Sequence, residues 1–279
     1  MAAPPSPVED LAAEFSPWLK RWQLTPDGAP FSTRGSYLMP VRHAGQPAML
    51  KVALDAEEQN GARLMHWWEG DGAARVLAHA DNVLLMERAT GEGSLFDMAL
   101  DGRDDEASRI LCATVARLHA PRERPPPELL PLEQWFIALW PAAAIHGGIL
   151  TRCQRAAEAL LASPREQVPL HADIHHCNVL DFGPRGWLAI DPKWVIGERG
   201  FDYANILCNP DLPIVTQPAR LRRQVEVVSE AAGLERRRLL QWVLAYAGLS
   251  AAWFMEDDDP LAESDLQVAR HAATLLDAA

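Results

Sequence analysis

The sequence has no uninterrupted apolar run of about 18 residues, the length that a membrane-crossing helix requires, so no span of a bilayer is expected. Its opening, MAAPPSPVEDLAAEF, lacks a basic head followed by an apolar core, so no secretory leader is expected either. The four cysteines (Cys112, Cys153, Cys177 and Cys208) include no C-x-x-C pair, which points to free thiols in a cytoplasmic chain. Positive charge is scarce: 26 Lys and Arg stand against 38 Asp and Glu, a net charge of −12. A general nucleic-acid binder normally carries a basic face, so the balance argues against that class. It is compatible with a cationic small molecule, as it is with the acidic balance common among soluble proteins. No internal repeat or low-complexity tract is evident, and nothing names a protein partner.

What is present is 279 residues, enough for one large domain or two lobes sharing a cleft, with an ordinary 48% hydrophobic content. A Pro- and Ala-rich start reads as a flexible segment leading into a short helix with Trp18 and Trp22. SYLMPV and PAMLKVAL, joined by the turn-like RHAGQ, predict two antiparallel strands. Ala62, Met65 and Trp68 or Glu69 recur at helical spacing and predict a helix from Ala56 to Trp68, with Gly61 a weak point inside it. GDG ends that helix, and RVLAHA and NVLLMERA predict two more strands. After TGEGS the chain turns helical: Leu95 to Ala99, Asp105 to His119, Pro131 to Ile145 and Thr151 to Ala162, then again from Phe201. Leu111, Val115 and Leu118 form an apolar stripe in the second of these. RERPPPELLP is a Pro-rich connection too short to separate folding units. The pattern is a small mixed lobe followed by a helical one.

The chemistry-bearing stretch is HADIHHCNVLDFGPRGWLAIDP. It places His171, Asp173, Asn178 and Asp191 in one hairpin-like region, with VLDF and WLAI as strands around GPRG. Phosphoryl transfer needs a cation to neutralise phosphate charge, a carboxylate to orient the attacking hydroxyl, and a frame holding both in line. Magnesium prefers oxygen ligands. Asn178 offers an amide oxygen and Asp191 a carboxylate, which leaves Asp173 to accept the hydroxyl proton. A competing reading takes His171, His175, His176 and Cys177 as metal ligands. Neighbours on a strand point opposite ways, and no second His/Cys cluster completes a zinc shell.

HADIHHCN followed by AIDP resembles the catalytic and metal loops of the protein-kinase-like antibiotic phosphotransferases, whose usual forms are HGDxHxxN and IDxx. The separations match as well: five positions from Asp173 to Asn178 and thirteen from Asn178 to Asp191. LHADIHHCNVLDFGPRGWLAIDPKWVIGERGFDYANILCNP is more narrowly similar to the streptomycin 6-phosphotransferase group of the aminoglycoside/hydroxyurea antibiotic resistance kinases. The likeness is strongest from Leu170 to Pro210. Ala172 stands where the family usually has Gly, which matters only if that position needs a positive φ.

The resemblance implies an α+β, two-lobed protein-kinase-like fold, with a β-rich ATP-binding lobe over residues 1–88 and a mainly helical catalytic lobe over 89–279. It implies ATP and Mg2+ as cofactors and Asp173 as catalytic base, with Asn178 and Asp191 as metal ligands. Lys51 resembles the strand lysine that holds nucleotide phosphates; the alternative is an edge-strand lysine facing water. Glu58 is its candidate partner, although a carboxylate there also suits the helix dipole. The backbone of Glu87 and Ala89 should face adenine, one carbonyl accepting and one amide donating, with Met86 as a wall. FSTRGSYL falls where a phosphate-covering loop belongs, but only Gly35 supplies glycine. Asp202 in GFDYAN should tether the catalytic loop, His171 should support it, and Lys193 either approaches phosphate or faces water.

The implied substrate is a small, cationic, hydroxyl-rich molecule, which should meet carboxylates and aromatic faces. Trp253, Glu256, Asp257, Asp258 and Asp259 in WFMEDDDP are candidates, against a solvated charge run. Gln134 to Trp140 is another candidate wall. Streptomycin or a related aminoglycoside leads. A different small metabolite or hydroxyurea is the alternative, and a catalytically silent nucleotide-binding protein is the second.

Overall fold

Alternation along the first long strands decides how the small lobe is built. In the computed structural model, which describes residues 8–210 and 214–278, α1 (Val8–Arg21) leads through the short β1 (Thr25–Pro26) and β2 (Phe31–Ser32) to β3 (Ser36–His43) and β4 (Gln46–Ala53). The flexible start expected at residues 1–7 lies outside the described residues. Ala48, Leu50 and Val52 of β4 point to the face that α1 covers with Phe15 and Trp18, joined by Trp22 just beyond its end. Met49 and Lys51 must therefore point the other way, because strand side chains alternate. On that side Met49 joins a second cluster with Ala62, Met65, Leu84, Met86, Phe182 and Leu188. Two of those residues come from α2 (Ala56–Trp68), and two come from the distant hairpin that carries the chemistry. β5 (Val76–Ala80) and β6 (Val83–Glu87) complete a six-stranded sheet of order β1-β3-β4-β6-β5, with β2 on β3. Helix α2 begins where Asp55 accepts a hydrogen bond from Glu58 N (2.9 Å), an N-cap that fixes the register of Glu57 and Glu58.

The larger lobe contains α3 (Leu95–Leu100), α4 (Asp104–Leu118), β7 (Leu130–Pro131), α5 (Leu132–Trp135), α6 (Leu139–His146) and α7 (Ile149–Leu161). The single helix expected over Pro131 to Ile145 is broken, with a 3-10 turn at Phe136–Ala138 between α5 and α6. Pro141 has no amide to donate back along the chain, so a continuous α-helix cannot pass through that point without loss. β8 (Gln167–Leu170), β9 (Val179–Asp181), β10 (Trp187–Ala189) and β11 (Val195–Glu198) frame the site, followed by α8 (Gly200–Leu207), α9 (Pro218–Ala232), α10 (Arg236–Glu256) and α11 (Ala262–Asp277). Trp242 of α10 and Phe201 of α8 meet Phe136 in an aromatic core, and Tyr246 of α10 packs on Phe201.

The three-stranded sheet β7-β11-β8 has no counterpart in the sequence reading, because its strands are two to four residues long and pair across long separations. It matters for the site. Val195 pairs with Leu170, so β8 ends as the catalytic loop begins and β11 begins as the metal segment ends. Among the described residues no helix is long and apolar enough to cross a membrane.

Candidate active site

The β9–β10 register does the positioning. Val179 pairs with Ala189, and Ile190 N donates to Asn178 O at 2.9 Å, so Asn178 and Asp191 leave the hairpin side by side. The loop is also fastened at its start. Lys193 N donates to His171 O (2.8 Å), and the His171 ring Nε2 meets Ile190 O (2.8 Å). Its Nδ1 accepts from Asp173 N at 3.2 Å. Both ring nitrogens of His171 are thus engaged within the loop, and among the described residues no group of three or more His, Cys, Asp or Glu is placed to hold a metal.

Asp202 is fully buried in α8 and takes three hydrogen bonds: from His171 N (2.9 Å), from Ala172 N (2.7 Å) and from the His119 ring (2.8 Å). The two loop amides match the tether expected of it. His119, at the end of α4, was not singled out from the sequence, since a lone histidine after a helix carries no signal of its own.

Ala172 has a φ of +63°. This is the position where glycine is usual, and the left-handed region costs an L-residue roughly 1 kcal/mol. Ala172→Gly should change stability by less than about 0.5 kcal/mol, seen as a urea midpoint close to wild type, since relief of strain is largely offset by glycine's extra chain entropy and the loss of a buried methyl.

Asp173 is half-buried and lines one of two cavities that share Cys177. Burial raises its carboxyl above the ordinary range; His175 and Lys193 pull it back, while Asp191 and Glu57 push it further up. Asn178 Nδ2 donates to Asp173 O (2.8 Å) and to Asp173 Oδ2 (3.2 Å), which fixes the amide and leaves its oxygen for another partner. His175 Nε2 lies 3.8 Å from Asp173 Oδ1.

On the nucleotide side, Lys51 ion-pairs with both Glu58 and Asp191. Ser36 Oγ donates to Glu58 Oε2 at 3.2 Å, and a Cβ on Gly35 would come within 3.0 Å of the Glu58 side chain. The lone glycine of the loop is thus where Glu58 needs room. Lys193 does not face water: its Nζ is 2.8 Å from Glu58 Oε1 and 3.1 Å from Glu57 Oε1, and Asp173 adds a third negative charge nearby. Glu58 is held below the ordinary carboxylate range; burial opposes this, and the two lysines outweigh it.

A cavity of about 420 Å³ lies against Met49, Lys51, Met86, Ala89, Leu180 and Ile190, with Asn178 and Asp191 at its inner end. Glu87 N donates to Arg75 O at 3.0 Å, so the donating amide expected of this segment falls to Ala89. Glu87 lines the cavity as well, and its side chain pairs with Arg185 and accepts from Arg75 N (2.6 Å).

A second cavity of about 420 Å³ is lined by Asp173 together with His176, Asn209, Tyr246, Trp253 and Asp265. Of the acidic run, Asp257 reaches it indirectly, through an ion pair with Arg34 of the β2–β3 loop that bridges the two lobes at the cavity mouth. Glu256 and Asp258 are exposed, and Asp259 Oδ1 accepts from Leu261 N (2.9 Å). Gln134 to Trp140 lies one layer back: Trp135 packs edge-on against Trp253 at 5.7 Å, while Phe136 belongs to the core.

Burial pushes His171 down to about 4, with Asp202 and the Ile190 carbonyl opposing; burial, Arg220 and His175 push His176 down to about 3. Both ring nitrogens of His176 are buried without a hydrogen-bond partner among the described residues. These rings stay neutral in the fold where the unfolded chain takes up protons from 6.5 downward. Stability should therefore fall as pH drops below about 6.5, by about 2 kcal/mol per histidine at pH 5. Urea midpoints at pH 7 and 5 check this; equal midpoints would show that the rings are not held neutral.

Known proteins share this sequence and fold. The chain is 52% identical over 267 residues to streptomycin 3''-kinase of Klebsiella pneumoniae, covering 93% of this chain and 100% of that one. It is 32% identical over 288 residues to streptomycin 6-kinase of Streptomyces glaucescens, covering 97% and 90%. Aminoglycoside phosphotransferase APH(4)-Ia, solved as a thermostable mutant with ADP and hygromycin B, shares the fold with a TM-score of 0.64 at 14% identity, covering 94% of this chain and 97% of that one. The two-lobed kinase-like architecture read from the catalytic loop is thereby borne out. The sequence profile of the aminoglycoside/hydroxyurea antibiotic resistance kinases matches residues 21–258, and the chain belongs to that family.

Proposed function

We propose that the protein is an ATP- and Mg2+-dependent O-phosphotransferase that inactivates streptomycin or a closely related aminoglycoside in the cytoplasm. The observation that carries the reading is that Asp173 lines the cavity walled by Trp253 and Asp265 while accepting a hydrogen bond from Asn178, which lines the other cavity with Asp191 and Lys51. Residues 1–88 would supply the nucleotide lobe and 89–279 the catalytic lobe. The greater identity to a 3''-kinase than to the 6-kinases favours the 3''-hydroxyl as acceptor.

The donor set suits magnesium. Asn178 and Asp191 are two hard oxygen ligands, and this ion commonly takes one or two protein ligands beside water and phosphate. When bound, the ion would neutralise phosphate charge. The protein's own groups do the rest. Ala89 N–H and the Glu87 carbonyl would orient adenine, and Lys51 would turn from Asp191 to the phosphates. Asp173 would hold the acceptor hydroxyl in line and take its proton.

The test is ADP release by the purified protein with ATP, Mg2+ and a panel of aminoglycosides, with mass and NMR assignment of the product. Streptomycin phosphorylated at the 3''-hydroxyl is the expected result. Turnover of a different alcohol alone would refute the substrate and leave the kinase standing.

A further inference from the structure

Glu58 lies between two lysines with different obligations. Lys51 is shared: it pairs with Glu58 and also with Asp191. On the kinase reading proposed above, both Lys51 and Asp191 turn to the nucleotide and its metal. Glu58 is only 8% exposed, and a buried carboxylate with a departing partner is costly. Lys193 also feels the charge of Asp173, but it makes no ion pair with the metal-side carboxylate Asp191. Its two carboxylates, Glu58 at 2.8 Å and Glu57 at 3.1 Å, both belong to α2, and its own side chain is 14% exposed.

The same two surfaces meet a second time. Lys193 follows Pro192, and a Cβ on Gly61 would lie 2.0 Å from Pro192 O. Gly61 is three residues after Glu58, on the same helical face. The α2 backbone therefore rests directly on the backbone carbonyl beside Lys193. One steric contact and a paired ionic contact join α2 to the segment that carries Asp191.

We propose that Lys193 is a positioning residue: a standing counter-ion for Glu58 that keeps α2 docked on the metal-binding segment while Lys51 moves to the nucleotide phosphates. This rests on the kinase reading, and it gives Lys193 no contact with the transferred phosphoryl group. The consequence is a nucleotide site that needs no helix movement to assemble.

The test compares wild type, Lys193→Met and Lys193→Arg in the full chain. ADP binding is measured by calorimetry with and without Mg2+, beside steady-state kinetics and thermal midpoints. Lys193→Met should weaken binding of ADP with Mg2+ about tenfold, the factor that corresponds to 1.4 kcal/mol. The KM for streptomycin should stay near wild type, and Lys193→Arg should recover most of the lost affinity. Wild-type ADP affinity in Lys193→Met overturns the role. So does a large fall in kcat at unchanged ADP affinity, which would place Lys193 on the phosphoryl group. Equal weakening of ADP and streptomycin with a lowered midpoint also overturns it, because that is general loosening. Failure of the wild-type protein to bind ADP is a separate result that removes the kinase reading itself.

Discussion

Asp173→Ala is expected to lower streptomycin-dependent ADP release by about 10²–10⁴-fold, the range that a positioned general base contributes, while nucleotide affinity stays at the wild-type level. The two halves of that expectation have separate grounds. Asp173 lines the substrate-side cavity and is absent from the lining of the nucleotide cavity, whose inner end is formed by Asn178 and Asp191. The change also leaves the metal-side amide oriented, because Asn178 Nδ2 still donates to the backbone carbonyl of residue 173. The raised carboxyl gives a second signature: activity should be lost on acidification at a pH above the ordinary 3.8 of an aspartate. Single-turnover rates and calorimetric ADP titrations measure the two halves independently. Turnover at the wild-type rate would remove Asp173 from the chemistry.

Gly61→Ala should be the most damaging one-carbon change in the small lobe. Intrinsic helix propensity predicts the opposite, a gain of about 1 kcal/mol for alanine over glycine. The added carbon, however, would stand 2.0 Å from the carbonyl oxygen of Pro192, and neither group can rotate away. The helix or the metal segment must move by more than an ångström. Overpacking of this kind costs about 1–3 kcal/mol, and here it also strains the Lys193 and Lys51 pairs with Glu58. A fall in melting temperature of a few degrees is expected, at about 2–4 °C per kcal/mol for a chain of this size. ADP affinity should weaken about tenfold or more, in line with the loss of at least 1.4 kcal/mol. A variant as stable and as tight-binding as wild type would show that the close approach is not needed.

The glycine illustrates what a sequence hides. Within Ala56–Trp68 it reads as a defect in a helix, and the helix nevertheless spans Ala56–Trp68. Its reason lies 131 residues away, at Pro192. Asp257 gives the complementary case. In an acidic run it is indistinguishable from its neighbours, yet it alone of that run meets Arg34, 223 positions earlier in the chain. The broken helix around Pro141 is different again. Its cause was present in the sequence, since proline lacks the amide, but apolar spacing outweighed it.

By itself the sequence determined the reaction-bearing hairpin. Asp173, Asn178 and Asp191 lie within nineteen residues of one another, and a β-hairpin register converts such short separations into fixed positions. It also determined the strand–strand–helix–strand–strand order of the small lobe, because each element there carries its own period or turn signal. Only the tertiary structure decided which groups face one another across the cleft. Glu58 meets Lys193 at a separation of 135 positions, and Lys51 meets Asp191 at 140. Periodicity records which face of an element is apolar, and it carries no information on which distant charge that face will meet. Packing of α2 on the metal segment makes that choice.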